Sequence, residues 1–505
     1  MFSDAGSIPA ASTKLKNDGP DLGPLSFLIR GGAKGVVNVA PSSEAGYVDV
    51  LSRVLRPLPT QSGPIDERHA GAQRIVIVSL HAIARGSMTA NESDSLWRNR
   101  DFMLLWGGQV VSTIGSSASE VIYPLLILAL TQSPAAAGFS AAIRFVPYLV
   151  FSLPAGALVD RWDRKRVMIL CDVGRAFAVI TIPIALLFGA LTIAQIYAVA
   201  FVEGSLFVFF NIAEVAALPR VVETRKLPDA TAQNQAAFGV AGIAGPSIGT
   251  FLYQAVGRGF PFAFNALSYI VSAISLAYIR KSFRAQPSAA RRHLVREIIE
   301  GLRWLWERRV VRHMALLTGG LNLINASVPL ILIVRAKDMG ADATHIGIIF
   351  SIGAVGAVIG AMIGGRIQKR FEFGPIIITI VWLQALLFPF YAFVPRFWML
   401  GVISSLIYFM SPVYNVVQFS YRLSLIPDAL QGRVNSTFRL VAFGFMPIGA
   451  ALSGLLIEHF GTAWAVFVLT CVFLVLAVAT TLNPSVRNAE RVDGSKPDLN
   501  GQADA

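Results

Sequence analysis

Twelve long apolar runs, separated by short polar turns, constrain the fold of this chain more than any other feature. They span 103–130, 136–159, 167–189, 192–217, 231–255 and 260–279 in the first half, and 313–334, 343–366, 374–394, 397–420, 435–457 and 462–482 in the second. A run of about 20 apolar residues crosses the hydrocarbon core of a bilayer as one helix. We therefore predict an all-α membrane protein with twelve transmembrane helices.

The composition and net charge favour the same fold class. The chain has 505 residues, of which 54% are apolar and 14% charged, and its mean hydropathy is +0.60. Soluble domains carry about 25% charged residues, so most of this chain cannot face water. The net charge is +13, but the basic residues lie in short clusters between the apolar runs rather than on one face. We therefore predict no nucleic-acid partner.

The residue types that build metal sites, disulfides and catalytic centres are sparse. Cys171 and Cys471 both lie inside apolar runs, and the six histidines are scattered. Neither pattern supports a metal site or a disulfide framework. The sequence also contains no nucleotide-binding loop and no catalytic constellation. We expect neither an enzyme nor an ATP-driven pump, and no cofactor.

The basic clusters predict the orientation in the membrane. The loops expected inside hold Arg161, Arg164, Lys165, Arg166, Arg220, Arg225, Lys226, Arg366, Lys369, Arg370, Arg422 and Arg433. The loops expected outside hold Arg258, Arg335, Lys337 and Arg396. Cytoplasmic loops are enriched in Lys and Arg, so we predict cytoplasmic termini and a multi-pass location in the cell (inner) membrane.

Changes in composition mark five regions. Residues 1–95 are rich in Ser, Gly, Pro and charge, so we expect them to be disordered, or a misassigned extension with Met88 as the true start. We expect bundles at 96–280 and 313–483, and a disordered tail at 484–505. The connector 281–312 contains Glu297–Arg312, which has apolar and basic residues at helical spacing. Such a helix fits the headgroup layer, and a calmodulin-type target is the rival interpretation.

The two halves contain corresponding sequence motifs. Gly156-Ala157 precedes Lys165-Arg166 at the same spacing as Gly360-Ala361 precedes Lys369-Arg370. Pro228-Asp229-Ala230 and Pro427-Asp428-Ala429 follow the fourth run of each half. These motifs predict two six-helix bundles in parallel repeat, with the substrate path between them.

The loop from Gly156 to Arg166 resembles the signature between helices two and three of the major facilitator superfamily. The resemblance covers about residues 96–483 and implies a monomeric secondary transporter that works by alternating access. In that family the loop forms a conformational latch, at the positions of Gly156, Asp160, Arg161, Arg164, Lys165 and Arg166. Asp163 stands where the family usually has Gly, and the second half has Gly364 in place of Asp160. We therefore expect an asymmetric latch.

The fifth apolar run resembles a signature of exporters in the same superfamily. Its residues are Gly242, Gly245, Pro246 and Gly249, and glycines that serve only helix packing are the alternative. Trp106–Gln109, Glu300–Arg303 and Ile426–Asn435 resemble the branch that contains enterobactin exporters and macrolide-type efflux proteins. The resemblance implies export of a small amphipathic compound, drug-like or siderophore-like. An importer, a lysolipid flippase and a non-transporting sensor are the alternatives, because one fold hosts many functions.

Several ionisable residues lie inside the predicted spans, where charge is costly and marks candidate functional sites. Glu120 and Glu203 are our candidates for proton coupling. Asp172 and Arg175 are three residues apart on one helix and are predicted to form an intramembrane ion pair. Many proton-coupled exporters of the superfamily carry an Arg three residues before the position of Glu203, where this chain has Ala200.

The predicted spans also contain uncharged polar residues that could face a substrate. Our candidates for the substrate cavity are Gln109, Asn211, Asn265, Asn322, Asn325, Tyr414, Asn415 and Gln418. Hydrogen bonding between helices is the alternative role for each of them. The expected partners are the lipid bilayer, a small-molecule substrate and protons as coupling ion.

Overall fold

A computed structural model describes residues 25–28, 36–39, 96–159, 161–281, 283, 294–427 and 430–487. The chain divides into two units, Met1–Asn91 and Glu92–Ala505. In the first unit, β1 (Leu25–Leu28) pairs antiparallel with β2 (Val36–Val39). Met88 and the remainder of the predicted extension up to residue 95 lie outside the described residues.

The second unit holds the helices, which form two sets of six spans. The first set is α1 (Arg100–Thr131), α2 (Pro134–Val159), α3 (Arg164–Leu187), α4 (Ile193–Val221), α5 (Leu227–Ala255) and α6 (Phe260–Ala277). After α7 (Leu294–Glu307), the second set is α8 (Arg309–Asp338), α9 (Ala343–Arg370), α10 (Phe373–Leu387) with α11 (Phe390–Phe393), α12 (Phe397–Leu425), α13 (Gln431–Gly444) with α14 (Met446–Phe460), and α15 (Thr462–Leu482). Twelve spans of the described chain are long and apolar enough to cross a bilayer, which confirms the predicted fold class.

Two predicted spans are interrupted. The ninth breaks between α10 and α11 at Pro389, and the eleventh breaks between α13 and α14, just before Pro447. Proline has no backbone N–H and crowds the preceding turn, so a helix often ends or bends there. Neighbouring helices can satisfy the freed carbonyls inside a membrane protein.

Helices begin or end inside the predicted connector and the predicted tail. The connector helix α7 ends at Glu307, and Arg308 is extended (φ −93°, ψ 105°), so Arg309–Arg312 begin α8 instead. Residues Pro484–Arg487 form a short helix, α16, whose Val486 is buried. The tail beyond residue 487 lies outside the described residues.

Several basic residues that we assigned to loops lie in terminal helical turns. Arg422 departs most from that assignment, because it is buried in the last turns of α12. Its guanidinium carbon lies 3.7 Å from the ring centroid of Phe438 and 5.4 Å from that of Phe419. Arginine stacks on aromatic faces in this way because its charge is spread over a plane.

The repeated Gly-Ala motifs fold differently in the two halves. In the first half the helix stops at Val159, and Asp163 caps the next helix by accepting from the N–H of Lys165 at 3.0 Å. In the second half α9 continues through Lys369 and Arg370. The position that matches Asp163 is Ile367, which has no side-chain acceptor for the first amides of a new helix. The same basic pair therefore starts a helix in one half and ends one in the other.

The two halves meet mainly along two helix pairs, α2 with α14 and α5 with α9. We call the end of the bundle with the 132–133 turn the Ser133 end, and the end with the 161–163 loop the Trp162 end. At the Ser133 end, Glu458 of α14 accepts from Ser133 Oγ and from the N–H of Ala135, with 2.9 Å between N and Oε2. A Cβ on Gly138 would lie 2.6 Å from the carbonyl oxygen of Ala450. The halves are therefore packed tightly at this end.

Candidate transport site

A cavity of about 330 Å³ lies between the two halves, displaced toward the Trp162 end. It is lined by Tyr148, Ser152, Val208, Asn211, Ile212, Val215, Ala216, Ser436, Arg439 and Leu440. These residues belong to α2, α4 and α13, so both halves contribute to the wall. The two halves pack tightly at the Ser133 end, so the cavity does not continue through the protein. A cavity of this kind, bounded by both halves, suits a substrate that crosses the membrane between them.

Of the eight predicted cavity residues, Asn211 lines this cavity. Three are held by hydrogen bonds: Asn265 to Ser119 Oγ, Asn322 to the carbonyl of Ala442, and Tyr414 to Thr318 Oγ1. Gln109 and Gln418 are buried, Asn325 is half-buried and Asn415 is exposed. For Asn265, Asn322 and Tyr414 the structure therefore shows the alternative role, bonding between helices.

Glu203 lies at the centre of a buried hydrogen-bond network in the first half. Its side chain on α4 is 1% exposed. Tyr123 donates to Oε2 at 2.9 Å, and Tyr269 donates to Oε1 at 2.7 Å. Asn265 Nδ2 lies 3.4 Å from Oε1 and 2.8 Å from Ser119 Oγ. Helices α1, α4 and α6 thus converge on one buried carboxylate.

Glu120 occupies a different environment from Glu203, although both were predicted as coupling residues. Its side chain on α1 is 59% exposed and lies 3.8 Å from Arg144 Nη1. Tyr408 of the second half is close enough to interact electrostatically with Glu120. Arg144 also interacts electrostatically with Glu203, and its guanidinium carbon lies 5.9 Å from the Tyr123 ring centroid. Arg144 therefore links the exposed carboxylate to the buried one.

Asp172 and Arg175 are both buried, and Arg175 Nη2 donates to Asp172 Oδ1. The Arg175 guanidinium carbon lies 4.5 Å from the Phe210 ring centroid and 4.3 Å from that of Tyr269. Because Tyr269 also donates to Glu203, the ion pair and the Glu203 network share one side chain.

The middle of the first half holds more carboxylates than guanidiniums. Four acids, Glu120, Asp172, Glu203 and Glu214, face two bases, Arg144 and Arg175, which leaves an excess of two acids. Charges without partners are costly in a membrane interior, because little water is present to solvate them. The excess marks this region as a candidate functional site.

Two of the predicted latch residues, Arg164 and Lys165, bond to carbonyls of their own half. Arg164 Nη1 donates to the carbonyl of Ala216 at 3.1 Å, and Lys165 Nζ donates to the carbonyls of Ala277 and Ile279 at 2.9 and 2.7 Å. Arg161 and Arg166 are exposed, and Asp160 lies outside the described residues. These contacts anchor the ends of α4 and α6.

The two corresponding glycines of the repeat differ in packing. A Cβ on Gly156 would have no heavy atom of another described element within 4 Å, whereas one on Gly360 would overlap the backbone of Phe409 in α12. Gly156 therefore makes no close helix contact within the described residues.

The glycines of the exporter signature contact two neighbours of α5. Cβ atoms on Gly245 and Gly249 would collide with Ser117 and Ala118 of α1. A Cβ on Gly242 would lie 3.8 Å from the Cβ of Ala354 in α9, at ordinary contact distance. Next to Pro246, Ser247 Oγ lies 2.8 Å from Ser351 Oγ of α9. The motif therefore places α5 close to the first half on one side and to the second half on the other.

Several residues of the site were not predicted from the sequence. Tyr123 and Tyr269 carry no recognisable signal, because aromatic residues are common in membrane spans. Arg439 lies near the start of the eleventh predicted run, and Glu458 directly follows the end of that run. The charge pattern alone does not show that Arg439 lines a cavity or that Glu458 bonds to residues of the other half.

Twelve spans in two corresponding halves, with a cavity between them, define an integral membrane transporter of the major facilitator fold. The family described as transmembrane secretion effector, of the major facilitator superfamily, matches residues 94–502. The chain belongs to this family. The prediction that it is not an enzyme is thereby confirmed.

Known proteins of the predicted branch are similar over most of the chain. Macrolide efflux protein A of Streptococcus pyogenes is 25% identical over 394 residues, 76% of this chain and 96% of the relative. Enterobactin exporter EntS of Escherichia coli O1:K1 is 23% identical over 354 residues, 70% of this chain and 84% of the relative. The predicted resemblance to this branch is confirmed.

A solved structure shows the same fold. The inward-facing structure of a bacterial homologue of the iron transporter ferroportin has a TM-score of 0.62 and 17% sequence identity. The match covers 77% of this chain and 99% of that one. At this identity the likeness concerns the fold alone.

Proposed function

We propose that this protein exports a small amphipathic compound by alternating access, driven by proton entry. Glu203 is the coupling carboxylate in this proposal. Its position carries the proposal: it is buried, it accepts hydrogen bonds from Tyr123 and Tyr269, and Arg144 connects it electrostatically to Glu120. A coupling group must exist in both a protonated and a charged form during the cycle.

Glu120 and Arg144 supply the communication between substrate and proton in this proposal. Arg144 interacts with both Glu120 and Glu203, so its position determines which carboxylate is neutralised. Tyr148, one helical turn from Arg144 on α2, lines the cavity. Substrate entry against this face of α2 would move Arg144 relative to the two carboxylates and favour release of a proton.

Separate observations support the proposed direction of transport and the proposed location. The named efflux function of two similar proteins favours export. The excess of Lys and Arg at the Trp162 end favours a cytoplasmic position for this end and for both termini. In that orientation the protein lies in the cell (inner) membrane with the cavity facing the cytoplasm. The contacts of Glu458 with Ser133 and Ala135 then hold the two halves together on the opposite side. We further expect a monomer, since one chain supplies both halves of the cavity.

Everted membrane vesicles test this proposal. A macrolide and enterobactin serve as probes, and an imposed pH gradient with an acidic lumen supplies the driving force. We expect the lumen to accumulate one of the probes, and Glu203→Gln to abolish gradient-driven accumulation while the exchange of labelled for unlabelled probe continues. Glu223→Gln, in the exposed loop after α4, is the matched control and should behave as wild type. Accumulation that Glu203→Gln leaves intact would exclude Glu203 as the coupling group, and gradient-driven loss of probe from the lumen would indicate import.

A further inference from the structure

The wall of the cavity contains a cation at the junction of the two halves. Arg439 of α13 is exposed, and its guanidinium carbon lies 5.8 Å from the ring centroids of both Tyr148 and Phe443. The two rings meet edge to face, with their centroids 5.3 Å apart. Because Tyr148 belongs to the first half and Phe443 to the second, this cluster joins the two halves beside the cavity.

The positive charge of this wall is not balanced locally. Of the described residues that line the cavity, Arg439 is the only charged one. No described carboxylate lies within ion-pair distance of Arg439. Arg422, buried in the same half, is close enough to repel it electrostatically. A cation held between aromatic rings, without an acid and next to a second cation, attracts an anion from solution.

The remainder of the wall suggests what kind of anion fits. Val208, Ile212, Val215 and Leu440 form an apolar surface that suits the body of an amphipathic compound. Ser152, Asn211 and Ser436 add hydroxyl and amide groups that can bond to polar substituents. The aromatic rings beside Arg439 favour stacking with a flat ring system.

We propose that the cavity selects amphipathic substrates that carry an anionic group, a carboxylate or a phenolate, on an aromatic or apolar body. Arg439 binds the anion, and the ring of Tyr148, which lines the cavity and is backed by Phe443, holds the adjoining part of the substrate. This proposal rests on the proposed function, because it names the substrate class of the same cavity. It places the anionic end near α13 and leaves Glu120 and Glu203, on α1 and α4, for protons.

Binding of three matched probes by the purified full chain tests the proposal. The probes are 1-naphthoate, 1-naphthylmethylammonium and 1-naphthalenemethanol, which share a ring system and differ in charge. Titration calorimetry in detergent, with empty micelles as the blank, gives the affinities. We expect naphthoate to bind about tenfold more tightly than either other probe, in line with one charge-assisted hydrogen-bonded pair.

Variants of two arginines on the same helix identify the group responsible. Arg439→Gln should weaken naphthoate binding about tenfold and leave the other two affinities unchanged, and Arg439→Lys should retain part of the preference. Arg433→Gln is the matched control, because Arg433 lies outside the cavity wall and pairs with Glu300 at 2.8 Å. Tighter or equal binding of the ammonium probe, an unchanged naphthoate affinity in Arg439→Gln, or no binding of any probe would overturn the proposal.

The outcome is separable from that of the proposed function. Gradient-driven export of a cationic macrolide that depends on Glu203 but not on Arg439 would uphold proton-coupled export and overturn the anion preference. Selective naphthoate binding that depends on Arg439, in a protein whose transport ignores the pH gradient, would uphold the anion site and overturn the coupling.

Discussion

The excess of acids over bases in the middle of the first half makes a quantitative prediction about the Asp172–Arg175 pair. Asp172→Asn and Arg175→Met both break the same ion pair, whose side chains are 0% and 3% exposed. If the pair acted in isolation, the two substitutions would lower the free energy of unfolding by similar amounts. The surrounding charges predict unequal losses instead. Arg175→Met increases the excess of acids over bases from two to three, and Asp172→Asn reduces it to one.

The magnitudes follow from the contacts of each side chain. Removing one partner of a buried ion pair costs about 3–5 kcal/mol. Arg175→Met also removes guanidinium contacts with two aromatic rings, at about 1 kcal/mol each, so we expect a loss of about 5 kcal/mol or more. After Asp172→Asn, Arg175 keeps these rings and still interacts electrostatically with Glu203 and Glu214, so we expect about 2–3 kcal/mol.

Denaturant unfolding in mixed micelles, followed by far-UV circular dichroism, measures these losses. The double variant Asp172→Asn/Arg175→Met is the control, because it removes both charges and restores the original excess of two. We expect it to be more stable than Arg175→Met alone. A loss for Asp172→Asn that equals or exceeds the loss for Arg175→Met would refute the reasoning that the neighbouring acids matter.

Two further predictions concern packing and the closed end. Gly360→Leu should strongly destabilise the fold, because the backbone of α12 occupies the space of the new side chain. Gly156→Leu should leave the free energy of unfolding within about 0.5 kcal/mol of the wild-type value. Equal shifts of the melting temperature in the two variants would contradict the packing seen here. Glu458→Gln should weaken the contact of α14 with the start of α2, so spin labels at Gln132 and Phe460 should show a larger population at long distances by pulsed electron paramagnetic resonance. Glu372→Gln, at an exposed loop of the opposite end, is the control, and an unchanged distance distribution in Glu458→Gln would show that this carboxylate does not hold the end closed.

The number and approximate limits of the spans were predictable from the sequence, because an apolar helix of membrane length has a strong local signal. The breaks at Pro389 and before Pro447 were not, since proline is accepted within many membrane helices without ending them. The helix start at Arg164 was also missed, although Asp163 is a good capping residue. The apolar pattern begins only after Arg166, so the first turn of α3 was not included in the predicted span.

The candidate site was predictable where the relevant residues share one helix. Asp172 and Arg175 lie three residues apart, so their proximity follows from helical geometry alone. The partners of Glu203 come from α1 and α6, and only the packed structure brings Tyr123 and Tyr269 to the same carboxylate. Asn265 shows the same limit of prediction from sequence. Its place inside a span is visible in the sequence, but its hydrogen bond to Ser119 depends on how α1 and α6 are rotated against each other.

The central claim is that Glu203 connects proton entry to export, and one comparison tests it most directly. The quantity is the ratio of gradient-driven accumulation to counterflow exchange in everted vesicles, measured for wild type, Glu203→Gln and Glu120→Gln at equal protein density. We predict that Glu203→Gln reduces this ratio to the value found without a pH gradient while counterflow persists. Retention of the wild-type ratio in Glu203→Gln, together with its loss in Glu120→Gln, would contradict the claim and assign coupling to the exposed carboxylate.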